Sequence, residues 1–483
     1  MLPPLRKAAI AVVTFAALGT SVVRADNVTL PDLGDESSAA ITPSQERRLG
    51  AEFMRQARKT LKLVDDPEIN GYIQSLGQRL VSHSDTPHQP FHFFVVEDPT
   101  INAFAVPGGY VGVHTGLMLN AQSESELASV LAHEISHVTQ RHIPRMIVEE
   151  QHASLPALAA ILASILVASS GHSGGEAGIA LTSAAMAQRE INFTRAFEEE
   201  ADRIGEGLLA RSGFDPRAMP KFFERMQAAN RYNDTSLPEF LRTHPVTTNR
   251  IADARNRAEQ YPVRNVRDSL EFLLTRARLQ AFDVGDPVEI ARGFRANLAQ
   301  GKFRNALAER YGYALAMMRA QDIAGARAEI AKLVAQQPDR ISFRIAQAQI
   351  EAAGGKFDEA LSIYAAAYRK SPSWSPLARE YASTLLQTGR AREALAILAP
   401  VVREGTDDPG LYKMMASAAG DTGDRVEAHR SMAEYYYLNG NFPAALEQLQ
   451  IATRFAGDNF YLQSSLDARI QAIKDEVKLA QQK

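Results

Sequence analysis

The chain has 483 residues, 45% of them hydrophobic, which is enough for two or three domains with cores of their own. A formal net charge of −3 gives no global field that would favour nucleic acid as a partner. There is no cysteine, so disulfides, thiolate metal ligands and cysteine nucleophiles are excluded.

Residues 1–25 read as a secretory signal peptide. Arg6 and Lys7 form a basic start, Ala8 to Leu18 an apolar core, and Val23-Arg24-Ala25 a small-residue cleavage site. The apolar core is short for a span of about 20 residues, and no cysteine follows to carry a lipid. An exported chain without cysteine suits the bacterial periplasm. Residues 26–44 are polar and acidic and read as an extended N-terminal arm. Thr42-Pro43-Ser44 opens a helical run with Leu49, Phe53 and Ala57 on one face, and Glu68 to Val81 gives a second helix.

The period then changes from helix to strand. Phe91 to Val96, Ile101 to Val106 and Tyr110 to His114 have strand composition, with a Pro107-Gly108-Gly109 turn before the third. The third strand is expected to align an extended substrate. Next comes Leu127 to His142, with Leu127, Val130, Leu131, Ile135 and Val138 on one helical face. Ser123 with Glu126 reads as a capping box, and Pro144 as a stop. Inside this helix lies His133-Glu134-Ile135-Ser136-His137. Histidines four apart project from one face and can close on one Zn²⁺ at about 2.0–2.1 Å. Glu134 is placed to take a proton from a water activated by the metal.

Residues 155–187 carry one formal charge, Glu176. Two readings stand: a helical hairpin packed on the metal-binding helix, or a flap that touches apolar substrate or the membrane surface. Gln188 to Ser212 reads as a long helix containing Glu198-Glu199-Glu200-Ala201-Asp202. Such a run is usually a solvated face, but a catalytic zinc needs a third protein ligand. His142 follows His137 by five residues, whereas the third histidine of metzincins follows by six, so it is not expected to bind metal. His114 is expected to be a structural or substrate-groove residue.

From about residue 304 a 34-residue period appears. It is carried by Ala326, Ala360, Ala394 and Ala428, by Ala314, Ala348, Ala382 and Ala416, and by Gly355, Gly389 and Gly423. This is the tetratricopeptide helix–turn–helix period, and such arrays present a binding surface.

Together, Asn102-Ala103-Phe104-Ala105-Val106-Pro107-Gly108-Gly109, the HEISH helix, Thr194 to Asp202 and Thr243-His244-Pro245 resemble the M48 family of zinc metallopeptidases. The resemblance is strongest to its periplasmic β-barrel assembly-enhancing type, and it covers nearly the whole mature chain. It implies a mainly α fold: an α+β catalytic domain at 45–262 with a small β-sheet and the HExxH helix, connecting helices at 263–303, and an all-α repeat solenoid at 304–483. It implies one Zn²⁺ on His133, His137 and Glu198, the latter being the Glu of an E-x-x-x-D pattern. Asp202 then orients a ligand histidine. Thr194 stands where the family often has Ser. The resemblance also implies that His244 can bind the metal as a fourth ligand and hold the enzyme latent. The expected function is a periplasmic endopeptidase that degrades stalled outer-membrane β-barrel proteins and assists their assembly, with clients or assembly machinery on the repeats. The rival reading is a non-proteolytic periplasmic chaperone with a silent or structural zinc site.

Overall fold

The computed structural model describes residues 41–149, 162–163, 165–166, 195–232 and 239–481. The signal peptide, most of the N-terminal arm, Thr194 and most of 155–187 lie outside them. The fold is mainly α, an α+β domain joined to a helical-repeat array. Helix α1 (Pro43–Thr60) starts on a capping box between Thr42 and Gln45, and α2 (Pro67–Val81) on the Asp66 carboxylate, each with proline in its first turn. Three strands follow, β1 (His92–Val96), β2 (Ala103–Val106) and β3 (Tyr110–His114), in the order β1-β3-β2. β2 and β3 form an antiparallel hairpin turning through Gly108 and Gly109, whose φ of 86° and 85° suit glycine; β1 runs parallel to β3.

This order corrects the expectation for Tyr110 to His114. β3 is the central strand, paired on both sides, so it cannot take a substrate strand. The outer edge of β1 is partly covered by Lys62 to Val64. Among the described residues, the edge left without a strand partner is that of β2. Asn102, Phe104 and Val106 turn their backbone groups towards β3, which leaves those of Ala103 and Ala105 facing outward.

After α3 (Thr115–Asn120), α4 (Glu124–Thr139) carries the HExxH residues and is buried along most of its length. Ser123 caps it by accepting from the Glu126 N–H, but the Glu126 carboxylate reaches back one residue further, to the Gln122 N–H. The expected capping box is therefore offset. Pro144 does not stop the helix. The chain breaks at Gln140-Arg141, where Arg141 has φ 53°, and Pro144 sits in the first turn of α5 (His142–Glu149), where a missing N–H costs nothing. Helix α6 (Arg195–Arg211) lies across α4. Gly205 permits that approach: a Cβ there would sit 3.1 Å from the Ala132 carbonyl and the His133 nitrogen. Helices α7 (Ala218–Tyr232), α8 (Glu239–Thr243) and α9 (Thr248–Glu259) complete the domain. Leu162 and Ile165 are buried with Ile143, Met146 and Phe197.

The connecting stretch forms α10 (Leu270–Ala281) and α11 (Pro287–Gln300), both packed on α12 (Ala306–Arg319). Paired helices then alternate: α13 (Ile323–Gln336), α14 (Ile341–Ala353), α15 (Phe357–Lys370), α16 (Ser375–Gln387), α17 (Ala391–Glu404), α18 (Pro409–Thr422), α19 (Arg425–Leu438), α20 (Phe442–Phe455) and α21 (Phe460–Gln481). The repeated alanines are buried at the helix crossings, except Ala428, which is half-buried. The repeated glycines take positive φ at the turns, and Gln321, one period earlier, is forced to φ 63° as well.

The array is bolted to the α+β domain. Arg55 reaches Glu476 at 2.8 Å, Arg58 donates to the carbonyls of Leu438 and Asp407, and His92 meets Asp407 at 2.6 Å. Buried Arg278 of α10 binds Asp66 at 2.7 Å, Glu68 at 2.8 Å and the Tyr311 hydroxyl at 3.1 Å. Burial raises the Glu68 carboxyl to about 7 although Arg278 opposes it. A carboxyl raised on folding contributes stability that is complete below its unfolded value near 4.5 and is lost as pH rises through 7. Glu68→Gln should therefore melt like wild type at pH 4 and be more stable than it, by about 1–2 kcal/mol, at pH 8. Thermal melts at the two pH values decide this, and parallel behaviour of both proteins would refute it. Among the described residues no helix is long and apolar enough to cross a membrane.

Candidate metal centre

Four buried side chains converge where α4, α6 and the segment after α8 meet. Ring nitrogens of His133, His137 and His244 and a carboxylate oxygen of Glu198 all lie within 4.8 Å of one another. His133 Nε2 is 3.0 Å from His137 Nε2, 3.3 Å from His244 Nδ1 and 3.5 Å from Glu198 Oε2. Glu198 Oε1 is 3.0 Å from His244 Nδ1 and 3.5 Å from His137 Nε2. A tetrahedral zinc with bonds of about 2.0–2.1 Å has ligand–ligand edges of about 3.3 Å. The donor set fits Zn²⁺ in both chemistry and spacing.

Each ligand is held from behind. His133 and His137 share a face because α4 is a regular helix through both. Asp202 Oδ1 lies 3.0 Å from His133 Nδ1, which leaves Nε2 for the metal. Arg250, 1% exposed, donates to both oxygens of Asp202 at 2.8 and 2.9 Å, to the Pro245 carbonyl at 2.6 Å, and pairs with Glu198 Oε2 at 2.9 Å. One guanidinium thus fixes Glu198, the Asp202 that backs His133 and the loop carrying His244. His244 stacks on Phe240, whose N–H donates to the Ile101 carbonyl at the head of β2.

The electrostatics match a site built around a cation. Burial would lower His133, but Asp202 and Glu198 outweigh it and raise the ring to about 10. Burial and the neighbouring His133 charge hold His137 well below the usual histidine range. Burial opposes ionisation of Glu198, yet His244, His133 and Arg250 keep it well below the usual carboxylate range. Burial raises Glu134, which accepts from the Ala105 N–H and lies 3.4 Å from His244 Nε2.

All six expected residues, His133, Glu134, His137, Glu198, Asp202 and His244, come together. His114 does not join them: its Nδ1 is 2.9 Å from the Thr100 hydroxyl and 3.5 Å from Asp98, beneath Phe104. Sequence reasoning missed Arg250, because an arginine six residues after His244 carries no local signal. It also left Glu200 and His142 without roles, although they contact each other at 3.3 Å and His142 touches His137. Glu199 is the solvated member of the acidic run and pairs with Arg195.

Residues 67–258 match the peptidase family M48 profile, and 352–418 match a tetratricopeptide repeat profile. The chain is 36% identical over 448 residues to the β-barrel assembly-enhancing protease of Escherichia coli (strain K12), covering 92% of this chain and 91% of that one. It is 35% identical over 455 residues to the putative β-barrel assembly-enhancing protease of Vibrio cholerae serotype O1, covering 94% of each. Mitochondrial metalloendopeptidase OMA1 of Schizosaccharomyces pombe is 34% identical over 180 residues, covering 37% of this chain and 50% of that one.

Proposed function

The chain belongs to peptidase family M48, among its β-barrel assembly-enhancing proteases, and is a zinc metalloendopeptidase; from that premise we propose a periplasmic enzyme that removes stalled outer-membrane β-barrel proteins and assists their assembly. His133, His137 and Glu198 hold the zinc. Bound there, the metal supplies Lewis acidity towards a water and the scissile carbonyl. Glu134 takes the water's proton and returns it to the leaving amine. An extended substrate pairs with the outward backbone groups of Ala103 and with the Ala105 carbonyl on β2, the Ala105 N–H being engaged by Glu134. Clients bind the repeats, where a groove of about 910 Å³ runs between α17 and α21, lined by Leu395, Val402, Tyr412, Met415 and Arg469.

The observation that carries the regulatory part is the position of His244. Its Nδ1 completes a set of four donors and its Nε2 faces Glu134, so it takes the place of the catalytic water and occupies the base. Its segment is also tied to Ile101, at the head of the substrate edge. The resting enzyme is therefore closed. His244→Ala is expected to raise cleavage of an unfolded β-barrel protein about tenfold or more while retaining zinc. The purified variant and wild type, compared by gel-based cleavage and metal analysis, test this; equal rates at equal zinc content would sink the latch.

A further inference from the structure

We propose that His142 is a positioning residue for the zinc ligand His137, acting as a neutral hydrogen-bond acceptor that fixes the ligand's tautomer. The inference rests on the assignment of His137 as a ligand. His137 Nε2 faces the donor cluster, so the proton of the neutral ring sits on Nδ1. That Nδ1 lies 2.8 Å from His142 Nδ1. Two N–H groups cannot face each other at this distance, so His142 Nδ1 accepts and its own proton is on Nε2. His142 Nε2 then donates to Glu200 Oε2 at 3.3 Å, and Glu200 Oε2 also accepts from Arg145 at 2.8 Å. The chain of donors runs from ligand to surface without a conflict.

The surroundings are shaped for this ring. His142 is fully buried and stacks on Phe197 at 4.8 Å and 20°. The Arg145 guanidinium lies over the same Phe197. The break at Arg141 is what makes the contact available. In an unbroken helix, residue 142 would lie about 140° around the axis from residue 137. The left-handed Arg141 turns His142 back under the ligand, and its guanidinium is anchored by Glu46 and the Ile41 carbonyl.

The two ligand histidines are thereby supported differently. His133 is backed by a carboxylate, Asp202, and His137 by an imidazole relayed to a second carboxylate, Glu200. Both carboxylates come from α6, which also supplies Glu198. A shift of α5 would reach the metal through His142.

The test uses the full mature chain. Zinc affinity is measured by chelator competition, and the cobalt(II)-substituted absorption spectrum reports the ligand field. His142→Phe keeps the stacking but removes the acceptor. It is expected to weaken zinc binding about 10–100-fold and shift the cobalt bands. His142→Asn places an amide oxygen near the lost Nδ1 and should restore most of that affinity. Histidine ¹⁵N spectra of the zinc-loaded wild type should show His142 protonated on Nε2 and not on Nδ1. His137→Ala is the control and should lose the metal. Wild-type zinc affinity and cobalt bands in His142→Phe, or equal losses in the Phe and Asn variants, would overturn the relay alone. Retained zinc in His137→Ala would remove the ligand assignment and the relay with it.

Discussion

Glu134→Gln, made in the His244→Ala background so that cleavage is measurable, should keep its fold and its zinc and lose about 10²–10⁴-fold in turnover. The amide matches the carboxylate in shape and can still accept from the Ala105 N–H. It cannot accept a proton. Glu134 stands beside the donor cluster without belonging to it, so metal content should not change. Its 1% exposure and its raised carboxyl range suit a group that must take up and then release a proton. Metal analysis and a cleavage time course measure the two halves independently. Turnover within tenfold of the parent would remove Glu134 from the proton transfer.

The second large effect is expected at a residue that touches no substrate. Arg250→Met should destabilise the metalloprotease domain by about 3–5 kcal/mol and strip the zinc. The methionine fills much of the volume and preserves contact with Phe223. What it removes is the only arginine or lysine paired with both Asp202 and Glu198 among the described ion pairs. Two buried carboxylates would then face each other with His133 and His244 alone to offset them. Glu198 is held ionised partly by Arg250, and Asp202 chiefly so once burial is overcome. Chemical denaturation of the apo protein, followed by zinc titration, separates the two consequences. A variant as stable as wild type and fully loaded with metal would show that the guanidinium is dispensable. Arg250→Lys should recover only part of the loss, since an ammonium cannot donate to two carboxylates and the Pro245 carbonyl in one plane.

Much of the site was legible because its first elements are local. His133, Glu134 and His137 are neighbours on one helix, and the apolar period of that helix announces it. The third ligand was legible only through the family resemblance, since Glu198, Glu199 and Glu200 are alike in composition. The fold separates them. The α4–α6 crossing at Gly205 turns Glu198 and Asp202 onto the histidines, sends Glu200 to His142 and leaves Glu199 in water. The strands were visible as segments, but their order was not. Alternation identifies a strand and its faces, not its neighbours, so it does not tell that Tyr110 to His114, expected to align a substrate, is the central strand and that β2 lies at the edge. The helix stop was misplaced for a similar reason: proline is excluded from the interior of a helix but not from its first turn.

The amino-acid sequence by itself therefore determined the reaction class, the metal-binding helix and the repeat array, because a four-residue spacing and a 34-residue period are properties of contiguous chain. Only the tertiary structure shows which carboxylate lies with the two histidines, what backs each ring, that His244 completes the cluster, and where the repeats dock. Those outcomes rest on pairs such as Arg250 with Asp202, 48 residues apart, and Arg55 with Glu476, 421 residues apart. Such contacts leave no periodic trace, because folding brings the partners together without constraining the residues between them.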